Sequence, residues 1–384
     1  MEFSKWKNIF IVLIAIAVLA SGAAFALENK KLLVKKTVVV ESSPKNSETL
    51  IKNEVLPPPP PPPEKLANPP LVIKAIYVTA WSASSKSYLN YLSRLFENTE
   101  INAVVVDIKG SDGRTGIYNT DNVVNFLHSQ NIYVIGRIAV FEDPVFAKMK
   151  PELAVFDISK AAQEGEPRLW RDNNGLEWLD PSSKDVWDYN VSLAKDSLHN
   201  HGFDEINFDY VRFPTDGKTA NMGFPIYDGK ISKQEVIKSF FSYLRANLYN
   251  SKISVDLFGL TTVNTDDMGI GQVITDAFAN FDYVCPMVYP SHYANGFIGF
   301  AKPAEHPYEV IKYSLDSAML KKDPLYFSKL RPWLQDFNMG AYYTADMVKQ
   351  EIKATQDSLK ENYYGFMLWN PSNIYTQNAV LRPD

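Results

Sequence analysis

The sequence predicts an α/β protein, a single (β/α)8 TIM barrel that follows an export segment and a proline-rich tether. Two observations carry this. From Leu71 onward, eight short apolar runs of strand character alternate with amphipathic stretches of helical period. Strands separated by helices pair in parallel, and eight such units close the sheet on itself. Residues 71–384 suit one barrel with insertions. An open doubly wound sheet is the runner-up, but no Gly-x-Gly-x-x-Gly turn follows any early strand.

The expected strands are Lys74–Thr79, Ala103–Ile108, Tyr133–Ile138, Glu205–Tyr210, Ile253–Leu257, Tyr283–Val288, Leu330–Leu334 and Gly365–Leu368. Helical periods fall at Lys86–Glu97, Asp121–Gln130, Asp185–Asn200, Lys233–Asn250, Pro307–Leu320 and Ala345–Asn362. The longest break in this rhythm, Phe141 to Ser183, carries Trp170 and Trp178. A loop of that length is usually functional, so both tryptophans are candidates for stacking on sugar or for packing within the loop.

Ahead of the barrel, Lys5 and Lys7 precede the apolar run Ile9 to Ala20, and Ala24-Phe25-Ala26 follows. Residues 1–27 therefore have the pattern of a signal peptide. Residues 9–27 are also nearly long enough to act as an uncleaved membrane anchor. Residues 28–70 are polar and contain the prolines Pro57 to Pro63, a disordered linker with a stiff polyproline stretch of roughly 20 Å. The expected location is outside the cell or on the outer face of the cytoplasmic membrane.

Composition narrows the chemistry. With 39 Lys+Arg against 44 Asp+Glu, the chain lacks the basic excess that a nucleic-acid footprint requires. The single cysteine, Cys285, rules out an intramolecular disulfide, and its apolar neighbours suit a buried, inert thiol. No His-Glu-x-x-His or paired-cysteine spacing is present, so no metal is expected, and no cofactor fingerprint or Gly-x-Ser-x-Gly elbow appears. His199 and His201 stand near a helix end, as solvent-facing residues do.

The segment Ile206-Asn207-Phe208-Asp209-Tyr210-Val211-Arg212-Phe213-Pro214 is the most informative one. It is an apolar strand that ends in charge, and charge is costly in a core unless it is paired or faces a wet cleft. In a parallel barrel that cleft is the C-terminal mouth. The strand ends would bring Asp107, Lys109, Arg137, Asp209, Arg212, Asp256, Tyr289, Asp336 and Trp369 to it. Many carboxylates and aromatics with few histidines suit glycoside hydrolysis, which needs one ionised and one protonated carboxyl across the scissile bond. Asp209 is the expected nucleophile or base and Asp256, on the neighbouring strand, the expected acid. Asp107, Glu142 and Asp336 are rivals for the acid. Arg212 or Arg137 would keep Asp209 ionised, and Asp107, Lys109, Arg137, Arg212, Tyr289, Asp336 and Trp369 would bind substrate. The alternative is that these charges only pair around the rim.

The motifs Tyr77-Val78-Thr79, Val105-Val106-Asp107-Ile108-Lys109, Gly136-Arg137, Trp178-Leu179-Asp180-Pro181 and Phe208-Asp209-Tyr210-Val211-Arg212-Phe213-Pro214 resemble a bacterial family of largely uncharacterised glycoside-hydrolase-like (β/α)8 barrels. The resemblance spans roughly residues 72–380. Related α-amylase-like barrels place a nucleophilic aspartate at the end of strand four, which implies that role for Asp209. They often place a glutamate after strand five, where this chain has Asp256. Chitinase-like barrels carry a related strand-four motif, but their essential glutamate falls at Val211, which cannot donate a proton. The expected function is an exported hydrolase of a poly- or oligosaccharide; the alternative is a non-catalytic carbohydrate-binding or scaffold barrel at the cell surface.

Overall fold

The structure, a computed structural model, describes residues 63–117, 119–160 and 168–382. The expected export segment and the tether up to residue 62 lie outside the described residues. Among the described residues no helix is long and apolar enough to cross a membrane.

Eight parallel strands close into a barrel. They are β1 (Ile73–Val78), β2 (Ala103–Lys109), β3 (Tyr133–Ala139), β4 (Glu205–Asp209), β5 (Lys252–Phe258), β6 (Tyr283–Met287), β7 (Lys329–Leu330 continuing as Trp333–Gln335) and β8 (Gly365–Trp369). Each pairs with its neighbour in sequence. Closure comes from Ile73 opposite Gly365 between β1 and β8. β7, expected as one run, is broken by Pro332, which has no amide hydrogen to give to a ladder. The Pro332 carbonyl still accepts from Met367 N at 2.9 Å, so the strand keeps its place.

The helices α1 (Lys86–Asn98), α2 (Thr120–Ser129), α3 (Lys184–Asn200), α4 (Lys233–Asn247), α5 (Ile274–Phe278), α6 (Pro307–Lys321) and α7 (Ala345–Leu359) form the outer layer. Hydroxyl caps start several of them: Ser183 accepts from Val186 N, Ser232 from Glu235 N and Thr344 from Met347 N. Pro307 opens α6, where a missing amide hydrogen costs nothing. α5 is a single short turn that periodicity did not reveal.

Alternation along the strands sorts side chains into two cores. Ile76, Val78, Val104 and Val106 pack outward under the helices. Ile73, Ala75, Tyr77, Ala103, Val105, Tyr133, Ile135, Tyr283, Cys285 and Trp333 fill the interior. Low in the interior lies an ion pair with no exposure, in which the Arg331 guanidinium grips both Glu205 oxygens, with Nη1 to Oε2 at 3.2 Å. Ser254 and Tyr133 hydroxyls also donate to Glu205, at 2.5 and 3.3 Å, and the Tyr283 ring lies 4.0 Å from Arg331. These bonds hold both Glu205 oxygens and both terminal guanidinium nitrogens, and Arg331 Nε is left without a hydrogen bond.

Of residues 63–70, expected as the end of the disordered linker, Pro63 is buried and Leu66 half-buried against the barrel, while 64, 65 and 67–69 are exposed. Leu66 covers the interior cluster and its amide donates to Asp204 Oδ1 at 2.7 Å. Burial of part of the Leu66 side chain against the interior cluster removes apolar surface from water.

Candidate active site

The mouth is built from inward-facing positions on consecutive strands. Arg137 is its hub. Its Nη1 donates to Asp107 Oδ1 at 2.6 Å, while Nε and Nη2 donate to Asp209 Oδ2 at 3.1 and 2.6 Å. Burial alone would lower the Arg137 pKa, but the two carboxylates outweigh it and hold it well above its ordinary range. The Tyr77 hydroxyl donates to Asp107 Oδ2 at 2.5 Å, and burial raises the Asp107 pKa against the pull of Arg137 and Tyr77. Of the two arginines considered for Asp209, the structure therefore selects Arg137.

Asp209 is the last residue of β4. Its Oδ1 accepts from the amide of Tyr210 at 2.6 Å. Tyr210 has φ of 54°, an uncommon conformation for a bulky residue that costs on the order of 1–3 kcal/mol. That sharp turn ends the strand and aims an amide back at the carboxylate, so both Asp209 oxygens are fixed before any substrate arrives.

Asp256 lies beside it on β5 and is 1% exposed. Asn207 Nδ2 and Trp333 Nε1 both donate to its Oδ1 at 2.8 Å. Burial, reinforced by the Asp209 charge, pushes its pKa well above the carboxylate range and so favours its protonated form. Glu142 follows β3 and is also buried. Burial raises its pKa strongly; Arg212 opposes this, and Asp172, Asp216 and Asp209 add to it. Near Asp209 there are thus two carboxyls that burial biases toward the protonated form.

Tyr289 and Trp369, expected at the mouth, are there. Their rings stack with centroids 5.7 Å apart and planes at 29°, and Phe337 meets Trp369 edge-on at 4.9 Å. The Tyr289 pKa is raised by burial and by Asp256 and Asp209, which places it next to the carboxyl cluster.

Other expected site residues go elsewhere. Lys109 has no exposure; its ammonium donates to Asp143 Oδ2 at 2.7 Å and to the Val140 carbonyl at 3.2 Å. Strand alternation would put Lys109 on the same face as Asp107, but the pairing with β3 slips between these two residues, and this bulge re-aims the lysine. Arg212 bonds the Phe213 carbonyl and the Thr215 hydroxyl, both at 3.3 Å, and lies over Trp178 at 4.6 Å and Phe258 at 4.9 Å. It braces the loop and makes no bond to Asp209. Trp170 and Trp178 are 1% and 0% exposed, with their ring N–H groups on the Lys218 carbonyl and Asp172. Of their two candidate roles, the structure assigns loop packing. His201 is only part-exposed, with its ring nitrogens near Asp121 and Asp196.

Asp336 is nearly buried and accepts from the Thr376 amide at 2.8 Å and hydroxyl at 2.6 Å. Burial pushes it up to about 6. The unfolded value is about 3.9, so between pH 4 and 6 the folded chain binds more protons than the unfolded one. Stability therefore falls as pH rises through that window, by about 3 kcal/mol from this group. Asp336→Asn is expected to abolish that fall; urea midpoints of both proteins at pH 4, 5, 6 and 7 measure it, and parallel curves would refute it.

Sequence reasoning did not single out Asn207, Trp333, Tyr77 or Tyr210 as site residues. The signal for Asn207 and Tyr77 was available, since both fall on inward positions near strand ends. That for Trp333 depended on the broken β7, and that for Tyr210 on its backbone turn. A separate cavity of about 160 Å³, lined by Ile108, Ile117, Leu193 and Phe203 among others, contains none of the mouth residues. Among the described residues no His, Cys, Asp or Glu cluster is arranged to hold a metal ion.

Comparison with known proteins follows from this geometry. A hypothetical protein from Ruminiclostridium thermocellum is 38% identical over 51% of this chain and 98% of its own, with a TM-score of 0.42. An α-galactosidase from Thermus thermophilus is 11% identical over 80% of this chain and 61% of its own, with a TM-score of 0.46. A maltogenic α-amylase from Thermotoga neapolitana is 13% identical over 79% of this chain and 69% of its own, with a TM-score of 0.44. No curated protein matches. The profile of the DUF4015 family, described as "Putative glycosyl hydrolase domain", matches residues 75–375, from within β1 to beyond β8, and the chain belongs to that family.

Proposed function

We propose that the barrel hydrolyses glycosidic bonds of a poly- or oligosaccharide outside the cytoplasmic membrane, by a two-carboxylate mechanism that uses no metal. The observation that carries this reading is the placement of Asp209. It stands at the mouth, fixed by Arg137 and the Tyr210 amide, with two buried carboxyls near it whose pKa values burial pushes up. Glycoside hydrolysis needs an asymmetry, one ionised group to attack or to activate water and one protonated group to release the leaving oxygen. Asp209 takes the first role. The apolar segment at 9–27 supports a site of action beyond the membrane.

The test is a screen of residues 63–384 and the full chain against envelope and storage polysaccharides, with Asp209→Asn as control. Cleavage that vanishes in the control supports the reading. Retention of glycan without turnover would instead mean a carbohydrate-binding barrel.

The stacked Tyr289 and Trp369 rings supply an apolar face for a sugar ring. Trp369→Ala is expected to raise KM for an oligosaccharide about tenfold while kcat changes less, because a flat aromatic contact binds ground and transition states alike. An unchanged KM would remove Trp369 from the binding surface.

A further inference from the structure

We infer that Glu142, rather than Asp256, is the group that protonates the departing oxygen; this rests on the hydrolase reading and deepens it. Among the described residues Glu142 is the buried carboxyl residue whose side chain has no hydrogen bond. The other buried carboxyls near it are all engaged: Asp143 by Lys109 and the Phe146 amide, Asp172 by Trp178 and two amides, Asp180 by three amides. Asp256 is engaged as well, by Asn207 and Trp333. Those bonds explain why these side chains are buried. Nothing comparable explains Glu142, which is 3% exposed. Its oxygens are not among the fully enclosed atoms that lack a partner, a set that includes Asp216 Oδ1, so the Glu142 carboxyl keeps a little access to solvent while making no bond within the fold.

Its position supplies a reason for that burial. Glu142 follows the end of β3, where its backbone pairs with Trp178 of the long loop. Val140 N donates to the Asp209 carbonyl at 2.9 Å, which ties this stretch to the end of β4. The charged and titratable groups that face Glu142 are Arg212, Asp209 and Tyr210 after or at the end of β4, and Asp172 and Asp216 from the loops. Arg212, the only cation among them, spends its hydrogen bonds on Phe213 and Thr215. The carboxyl therefore makes no hydrogen bond within the fold, and its surroundings favour the protonated form. Burial and the three acids around it act in the same direction.

In the reaction, the bond between the anomeric carbon and the leaving oxygen breaks with its electron pair going to oxygen. Glu142 gives that oxygen its proton and becomes a carboxylate. Water supplies the hydroxyl that ends on the anomeric carbon, and its remaining proton returns to the carboxyl pair, so the two groups finish as they began.

The experiment uses leaving groups of different acidity. The probes are 2,4-dinitrophenyl glycosides of the common hexoses and N-acetylhexosamines, whose phenol departs without a proton, and the unactivated glycan cleaved by the wild type. Glu142→Gln is expected to slow the glycan roughly 1,000-fold and the activated glycoside by less than about tenfold. It should also flatten the alkaline limb of the pH profile. Azide should accelerate Glu142→Ala on the activated glycoside and yield a glycosyl azide. Equal losses on both substrates would overturn the assignment, as would the same leaving-group pattern in Asp256→Asn. An unfolded Glu142→Gln would overturn it too, because a side chain without a hydrogen bond has no fold to hold. Full activity of Asp209→Asn on both probes would instead sink the hydrolase reading itself.

Discussion

Asp209→Asn is expected to lower glycan turnover by roughly 1,000-fold or more, with little loss of fold. The amide cannot attack an anomeric carbon and is too weak a base to activate water. Its structural cost is small by comparison. Asn keeps one oxygen to accept from Arg137 or the Tyr210 amide, and Arg137 retains Asp107 at 2.6 Å. The net change should be about 1 kcal/mol, the scale of a single hydrogen bond. Turnover of the purified variant, measured next to its thermal midpoint, separates the two effects. Wild-type rates in a folded variant would remove Asp209 from the chemistry; a variant that does not fold would make it a structural residue.

Arg331→Met is expected to cost about 3–5 kcal/mol of stability, because it leaves the Glu205 carboxylate buried without its cation. Ser254 and Tyr133 still donate to Glu205, but neutral hydroxyls do not balance a charge removed from water. The double variant Glu205→Gln with Arg331→Met should recover most of that loss, since an uncharged interior needs no cation. Urea unfolding of both singles and the double closes the cycle. Losses that simply add would show that the two side chains do not act as a pair. This network is at the opposite end of the strands from Asp209, so kcat of the folded fraction should stay near the wild-type value.

The comparison of these two sites shows what could be read from the chain. All eight strands were legible because each is a short apolar run between helical periods, and burial on both faces forces that composition. Strand ends were legible too: Asp107, Arg137, Asp209, Tyr289 and Trp369 converge on the mouth because alternation and barrel closure leave them nowhere else to point. Lys109 and Arg212 were not, since a one-residue slip in pairing redirects the first and a bend in the chain after β4 redirects the second. Neither event leaves a mark in hydrophobic periodicity.

Protonation follows the same division. Asp209, Asp256 and Glu142 are the same kind of group in the sequence, each with an ordinary carboxylate pKa. Water around them differs only after folding. Burial raises the Asp256 pKa where Asn207 of β4 and Trp333 of β7 enclose it, and raises that of Glu142 where its backbone pairs with Trp178 of the long loop. The sequence by itself determined the barrel, its register of inward residues and the carboxylate at the end of β4, since these depend on local pattern and on the one way eight βα units can close. How far Asp256 and Glu142 are pushed toward the protonated form was decided by tertiary structure alone, because desolvation and hydrogen bonding depend on residues that meet only in the folded chain.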